Sequence, residues 1–192
     1  MTVSGWITLT VLAAIVLYLI SIYNHLVRLN HNVSQAWSNI DVLLKQRHDE
    51  IPKLVDTCKA YMRHEQDTLL KVTQARTRVM NAANDQNVAS LGLAEGALRE
   101  GLDQLFMLAE DYPDLKANDS FQHLQSRITG LESSIADRRE YYNASVNLLN
   151  VRIDQIPDLF IARLCGFKHR ALLEFAAHEK ADVHIGQLFG RS

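Results

Sequence analysis

Residues 1–31 read MTVSGWITLTVLAAIVLYLISIYNHLVRLNH, and the fold turns on this stretch. Between Thr2 and Asn24 there is no charged side chain, and Trp6 to Ile22 is almost wholly apolar. At ~1.5 Å rise per residue, roughly twenty helical residues cross a hydrocarbon core of about 30 Å. Trp6 near one end and Tyr18 and Tyr23 toward the other suit the interfacial aromatic belts, with Leu12 and Leu17 between them. A cleaved signal peptide would want a basic opening and a small-x-small site after a shorter apolar core. Here the opening MTVSGW is uncharged and the run ends in SIYNHLVR, so the stretch reads as a single-pass anchor. The first cation after it is Arg28 and none precedes it, which by the positive-inside rule puts the remainder in the cytoplasm.

Outward from the anchor, apolar residues recur every three or four positions, the helical period. A first soluble helix carries Val33, Trp37, Ile40 and Leu44 and continues from the span without a breaker. Pro52 marks the first expected corner, since proline is tolerated in the first turn of a new helix. The second helix reads Leu54, Val55, Cys58, Met62, Leu69, Val72 and Val79 and ends in the turn-rich Asn81–Asn87. A third carries Leu91, Leu98, Leu102, Leu105, Phe106 and Ala109, weakened by Gly92, Gly96 and Gly101. The fourth is the cleanest, from Phe121 through Ile128, Ile135, Tyr142 and Leu149 to Ile156, with Asn118 or Asp119 as its cap and Pro157 at its end. No segment alternates as a strand does between hairpin turns. Four such stripes are hidden most economically against one another. The expected fold is all-α: a transmembrane helix continuing into an antiparallel four-helix up-and-down bundle with long helices, long heptad coiled coils being the alternative. The expected divisions are 1–23 for the anchor, 24–157 for the bundle and 158–192 for a tail.

Two expectations follow from helix heights. The fourth helix, about 39 residues, outruns the soluble part of the first, about 27, by roughly 18 Å, so its end should return to the bilayer. The next residues, Leu159, Phe160, Ile161, Arg163, Leu164, Phe167 and Lys168, have the make-up of an interfacial segment, or of one packed on the bundle or a neighbouring subunit. Arg47 and Glu132 both stand about 23 to 24 residues above the span, and Asp41 and Arg139 about 17, so each couple can form an ion pair that fixes register.

Composition excludes more than it assigns. The 192 residues are 47% hydrophobic with net charge −2, and basic residues such as Arg76, Arg78, Arg138 and Arg139 have acids nearby, so nucleic acid is not an expected partner. Cys58 and Cys165 form no metal spacing and read as two thiols or one disulfide. There is no Gly-rich phosphate loop, no GxSxG and no EF-hand pattern. His64-Glu65 is half a zincin motif, but Thr68 stands where the second histidine belongs. His178, Glu179 and His184 in the tail read as solvated. No cofactor, metal or catalytic residue is expected.

The run Tyr23-Asn24, Arg28, Ala36-Trp37, Asp41-Val42, Leu44-Lys45, Arg47, Asp49, Ile51-Pro52, Leu54-Val55, Tyr61, His64-Glu65, Ala75-Arg76 resembles the LemA family. A second block does too: Tyr112-Pro113-Asp114-Leu115-Lys116-Ala117-Asn118, then Phe121, Leu124, Glu132, Ile135, Arg139, Tyr142-Asn143, Val146, Asn150, Pro157, Ala162 and Phe167. The resemblance spans about residues 20 to 170; Lys53 stands where the family often has asparagine, and the ending after Phe175 departs from its pattern. It implies a membrane anchor, a four-helix bundle, and a bacterial inner-membrane protein with its N-terminus outside and its bundle in the cytoplasm. It implies no catalytic residues; one relative is associated with magnetosome membranes, which suggests membrane organisation. The same name has been given to a sensor kinase, but nothing here resembles an ATP-binding kinase half. The expected function is a membrane-anchored, non-catalytic scaffold in contact with lipids and with copies of itself. The alternative is an envelope-signalling adaptor for a separate kinase or protease, bound as a membrane partner.

Overall fold

A computed structural model describes residues 3–174; Met1, Thr2 and the tail beyond Glu174, including His178, Glu179 and His184, lie outside the described residues. The described chain is all helix and connection, with no strand: α1 (Val3–Lys59), α2 (Gln66–Asn84), α3 (Val88–Ala109), the single turn α4 (Pro113–Lys116), α5 (Asp119–Asp154) and α6 (Asp158–Leu164). It divides into two compact units, one of Met1–Leu43 with Glu132–Leu172, the other built on Leu44–Leu131.

The expected corner at Pro52 is absent, because α1 runs through that proline to Lys59. Proline lacks the N–H that should reach the carbonyl four residues back, here that of His48. Arg76 supplies the missing donor: its Nε lies 2.8 Å from the His48 carbonyl oxygen. The true corner falls at residues 60–65, where Met62 is sunk fully into the core and its N–H closes the last turn on Cys58. With α1 extended, its length beyond Tyr23 equals that of α5, 36 residues, so the expected overhang of the fourth helix disappears.

In the first unit, Val3 to Ser21 are exposed throughout and burial begins abruptly at Ile22. This opening part of α1 is the one described stretch long and apolar enough to cross a membrane. Beyond it Leu26, Val33, Ala36 and Ile40 are buried, as are Ile135, Tyr142, Val146, Leu149 and Ile153 of α5. Trp37 meets Tyr142 edge-on at 5.6 Å, and Asn30 is tied to Asn150 through Arg170, so α1 and α5 run in opposite directions here.

In the second unit the end of α1, α2, α3 and the start of α5 enclose Leu54, Cys58, Val72, Leu91, Leu98, Leu102, Leu105, Phe121 and Ile128. Gly101 earns its place by contact: a Cβ there would lie 3.3 Å from Val72 Cγ2, so α3 approaches α2 closely where the side chain is missing. Asp85, Gln86 and Asn87 join these helices in a Schellman turn, Gln86 taking the left-handed conformation at φ 50°. Asn87 then caps α3 by accepting the Ser90 N–H at 3.0 Å. Asn118 likewise caps α5, accepting from Phe121 N–H, while its amide donates to the Tyr61 hydroxyl and ties the corner after α1 to the start of α5.

Both cysteines are free thiols. Burial pushes Cys58 up to about 12, whereas Cys165 is exposed at the end of α6. Thiolate is the reactive form. A maleimide should therefore modify Cys165 alone in the native protein and reach Cys58 only after denaturation, as mass spectrometry of the intact chain would show. Equal native rates at both thiols would contradict the packing around Cys58.

Candidate functional site

Two polar arrangements stand out, one in each unit. In the second unit, Arg47 of α1 is buried at 2% exposure on the apolar stripe, and its Nη2 donates to Glu95 Oε1 of α3, itself 4% exposed. Helical periodicity marks Arg47 on the buried stripe, but helix height offers it Glu132 rather than Glu95. The signal was present: Glu95 sits among Leu91, Ala94, Leu98 and Leu102 on the buried face of α3, as Arg47 does on that of α1. One turn on from Arg47, Glu50 binds Lys53 at 3.1 Å and Arg127 of α5 at 2.9 Å. The Lys53 hydrogen bond, helped by Arg127, holds its carboxyl below the usual range.

Beside these lies the Arg76–His48 contact, with Arg76 Nη2 2.7 Å from His48 Nε2. Arginine can only donate, so His48 accepts through Nε2, and in its neutral form the proton sits on Nδ1. That Nδ1 is buried with no hydrogen-bond partner among the described residues. Burial first, and the Arg76 charge second, depress the basicity of His48 below its ordinary value. This network ties α1 to α2, α3 and α5. Among the described residues no three His, Cys, Asp or Glu side chains gather as a metal centre.

In the first unit the chain after α6 is pinned residue by residue. Gly166, at φ 74°, makes the left-handed turn that ends α6, and Phe167 N–H closes it on the Ala162 carbonyl at 2.9 Å. Phe167 then meets Tyr23 edge-on at 6.1 Å. The Asn150 amide clamps the Arg170 backbone from both sides, accepting from its N–H and donating to its carbonyl, each at 2.9 Å. His169 faces Asp154 at 3.1 Å, Arg170 reaches Asn30, and the Tyr142 hydroxyl donates to the Ala171 carbonyl. Burial pushes Tyr142 up, which keeps its phenol a donor. Asn150 is a residue whose role the sequence reading missed: a side chain that reads backbone leaves no periodic trace.

The remaining expected residues fall as follows. Trp6, Leu12, Leu17, Tyr18 and Tyr23 are all exposed along α1. Asp41, Glu132 and Arg139 are half-buried in the first unit. Leu159, Ile161 and Phe167 are half-buried, while Phe160, Arg163, Leu164 and Lys168 are exposed.

The chain is 24% identical over 191 residues to magnetosome protein MamQ 2 of Paramagnetospirillum magneticum, covering 87% of this chain and 70% of that one. Magnetosome protein MamQ of Magnetospirillum gryphiswaldense is also 24% identical, over 82% of this chain and 66% of its own length. Protein LemA of Metamycoplasma hominis is 26% identical over 166 residues, 86% of this chain and 74% of that protein. The sequence profile described as the LemA family matches residues 36–186, taking in the Arg47–Glu95 pair, the Arg76–His48 contact and the pinned segment alike. With the profile covering most of its length, the chain belongs to the LemA family.

Proposed function

We propose that this protein is a single-pass, non-catalytic scaffold that assembles with copies of itself at the bacterial inner membrane. The observation that carries the reading is α1: one unbroken helix whose opening is apolar and exposed from Val3 to Ser21 and whose remainder enters both packed units. An anchor continuous with a packed helix ties the first unit to the bilayer, as a scaffold at the membrane requires. Membrane association is what the family and the magnetosome relatives also suggest.

Arg28 just after the span favours an outside N-terminus and cytoplasmic helices. The helices are proposed to form an antiparallel four-helix arrangement, with Asp41 and Arg139 as a register pair in the first unit. Self-assembly is supported by a second apolar stripe on α5: Tyr141, Leu148 and Val151 are exposed at spacings of seven and three and so share one face.

Mass measurement of the full-length protein in mild detergent or lipid discs should give a defined multimer, and Leu148→Glu should dissociate it while leaving the helical signal intact. A monomer at every concentration would end the scaffold reading. Co-purification of one stoichiometric kinase or protease with that monomer would establish the adaptor instead.

A further inference from the structure

The segment from Ile156 to Arg170 has an outer face that nothing among the described residues covers. Ile156, Phe160 and Leu164, four residues apart, are 75%, 64% and 84% exposed, while Asp158 and Ala162 between them point inward and are buried. Arg163 and Lys168 are exposed on the same segment. Its one acid, Asp158, is held by Arg152 at 2.8 Å, and Asp154 just before it by His169. Arg163 and Lys168 thus face outward with no carboxylate offsetting them within the segment, whereas Arg170 reaches in to Asn30, and Lys168, His169, Arg170 and Asn30 line a shallow cleft there.

The level of this face is fixed by Phe167. Its ring rests on Tyr23, one residue past the point where α1 changes from wholly exposed to packed. If the exposed apolar run is clad in lipid, as the proposed anchor requires, that change marks the membrane boundary. Exposed aliphatic and aromatic side chains with cations among them, set at that boundary, match the interfacial zone, where apolar groups enter the acyl region and cations meet headgroups.

We propose that Ile156–Arg170 docks on the lipid surface, its Ile156–Phe160–Leu164 stripe among the acyl chains and Arg163 and Lys168 on anionic phospholipid headgroups. This rests on the anchor reading. It adds a second foothold, which stops α1 from swivelling freely about its span. The Gly166 turn and the Asn150 clamp serve that end by holding the segment's return path against α5 and α1.

The test uses Cys165, the exposed thiol within the segment, carrying an environment-sensitive fluorophore on the full-length protein in vesicles. With phosphatidylcholine and phosphatidylglycerol, emission should shift to the blue and be quenched by acyl-brominated lipid. Phe160→Ser with Leu164→Ser should abolish both effects, and Arg163→Gln with Lys168→Gln should lower the docked-to-undocked ratio by roughly thirtyfold at low salt, about fivefold per cation. All four side chains are exposed, so unchanged thermal melting confirms that these variants fold.

Flotation of the protein with vesicles reports the anchor separately. Protein that floats but whose label stays water-like and unquenched overturns the docking while leaving the anchor standing; protein that does not float overturns the anchor. A blue shift that disappears on dilution of protein in lipid and ignores brominated chains assigns the stripe to a second copy, and overturns the proposal equally.

Discussion

Replacing Arg47 by methionine in the full-length protein should lower its stability by about 3–5 kcal/mol, the range for removing one member of a buried ion pair. Arg47 and Glu95 lie on facing helices and are almost wholly excluded from water. The cost comes less from lost attraction than from Glu95, whose carboxylate would stay in a dry setting stripped of that guanidinium. If so, Arg47→Met combined with Glu95→Leu should recover most of the loss, because two apolar side chains of similar volume fit a helical core without any desolvation cost. Arg47→Lys should fall between, keeping the charge but not the planar fork. Thermal melting by circular dichroism in mild detergent measures all three. Were Arg47→Met no less stable than the double variant, the pair would not be the reason a charge sits in this core.

Retaining a charged pair where leucines would serve points to a role in alignment. A helix stripe of Leu and Ile can slip by a turn with little penalty, whereas Arg47 meets Glu95 in only one register of α1 against α3.

What is legible in the sequence divides along a physical line. Periodicity lies along a single helix, so the stripes of Val33–Ile40, Leu91–Leu105 and Phe121–Ile153 and the end of α5 before Pro157 are visible in the sequence, as is the Asn118 cap as one of two candidates with Asp119. Features set by a partner distant in the chain were not. Pro52 looked like a corner because the group that compensates it, Arg76, lies 24 positions on in another helix. The real corner at 60–65 has neither glycine nor proline; it is dictated by burial of Met62 and by the Tyr61–Asn118 bond. The reversal after α6 needed a left-handed Gly166 and an asparagine gripping backbone, neither of which hydropathy records.

The second large effect should come from that same compensation. Arg76→Ala removes the donor to the His48 carbonyl at 2.8 Å, and no backbone N–H can replace it while residue 52 is proline. A part-buried carbonyl left unsatisfied costs about 1–3 kcal/mol. Pro52→Ala should be mild in the wild-type setting, since it returns the N–H, and should rescue much of the Arg76→Ala loss. The two changes together should thus be less damaging than their sum by about 1–2 kcal/mol. Additive effects would show that Arg76 matters for other reasons and that α1 passes Pro52 unaided.

Acid adds an independent reading of the same contact. His48 is depressed below its ordinary 6.5 by burial and then by the Arg76 charge, with Asp49 opposing. The unfolded chain therefore takes up a proton at His48 before the folded one does. Its stabilising contribution is whole above pH 6.5 and is lost as the pH falls through that value toward the depressed one. Protonation places imidazolium against guanidinium at the point where α1 relies on Arg76 to stay continuous. Between pH 7 and 5.5 the wild type should lose stability more steeply than Arg76→Ala, in which one cause of the depression is gone, and His48→Gln should flatten the dependence further. Equal slopes in all three would place the acid sensitivity elsewhere and leave the Arg76 contact as a purely structural splint on the proline-bearing helix.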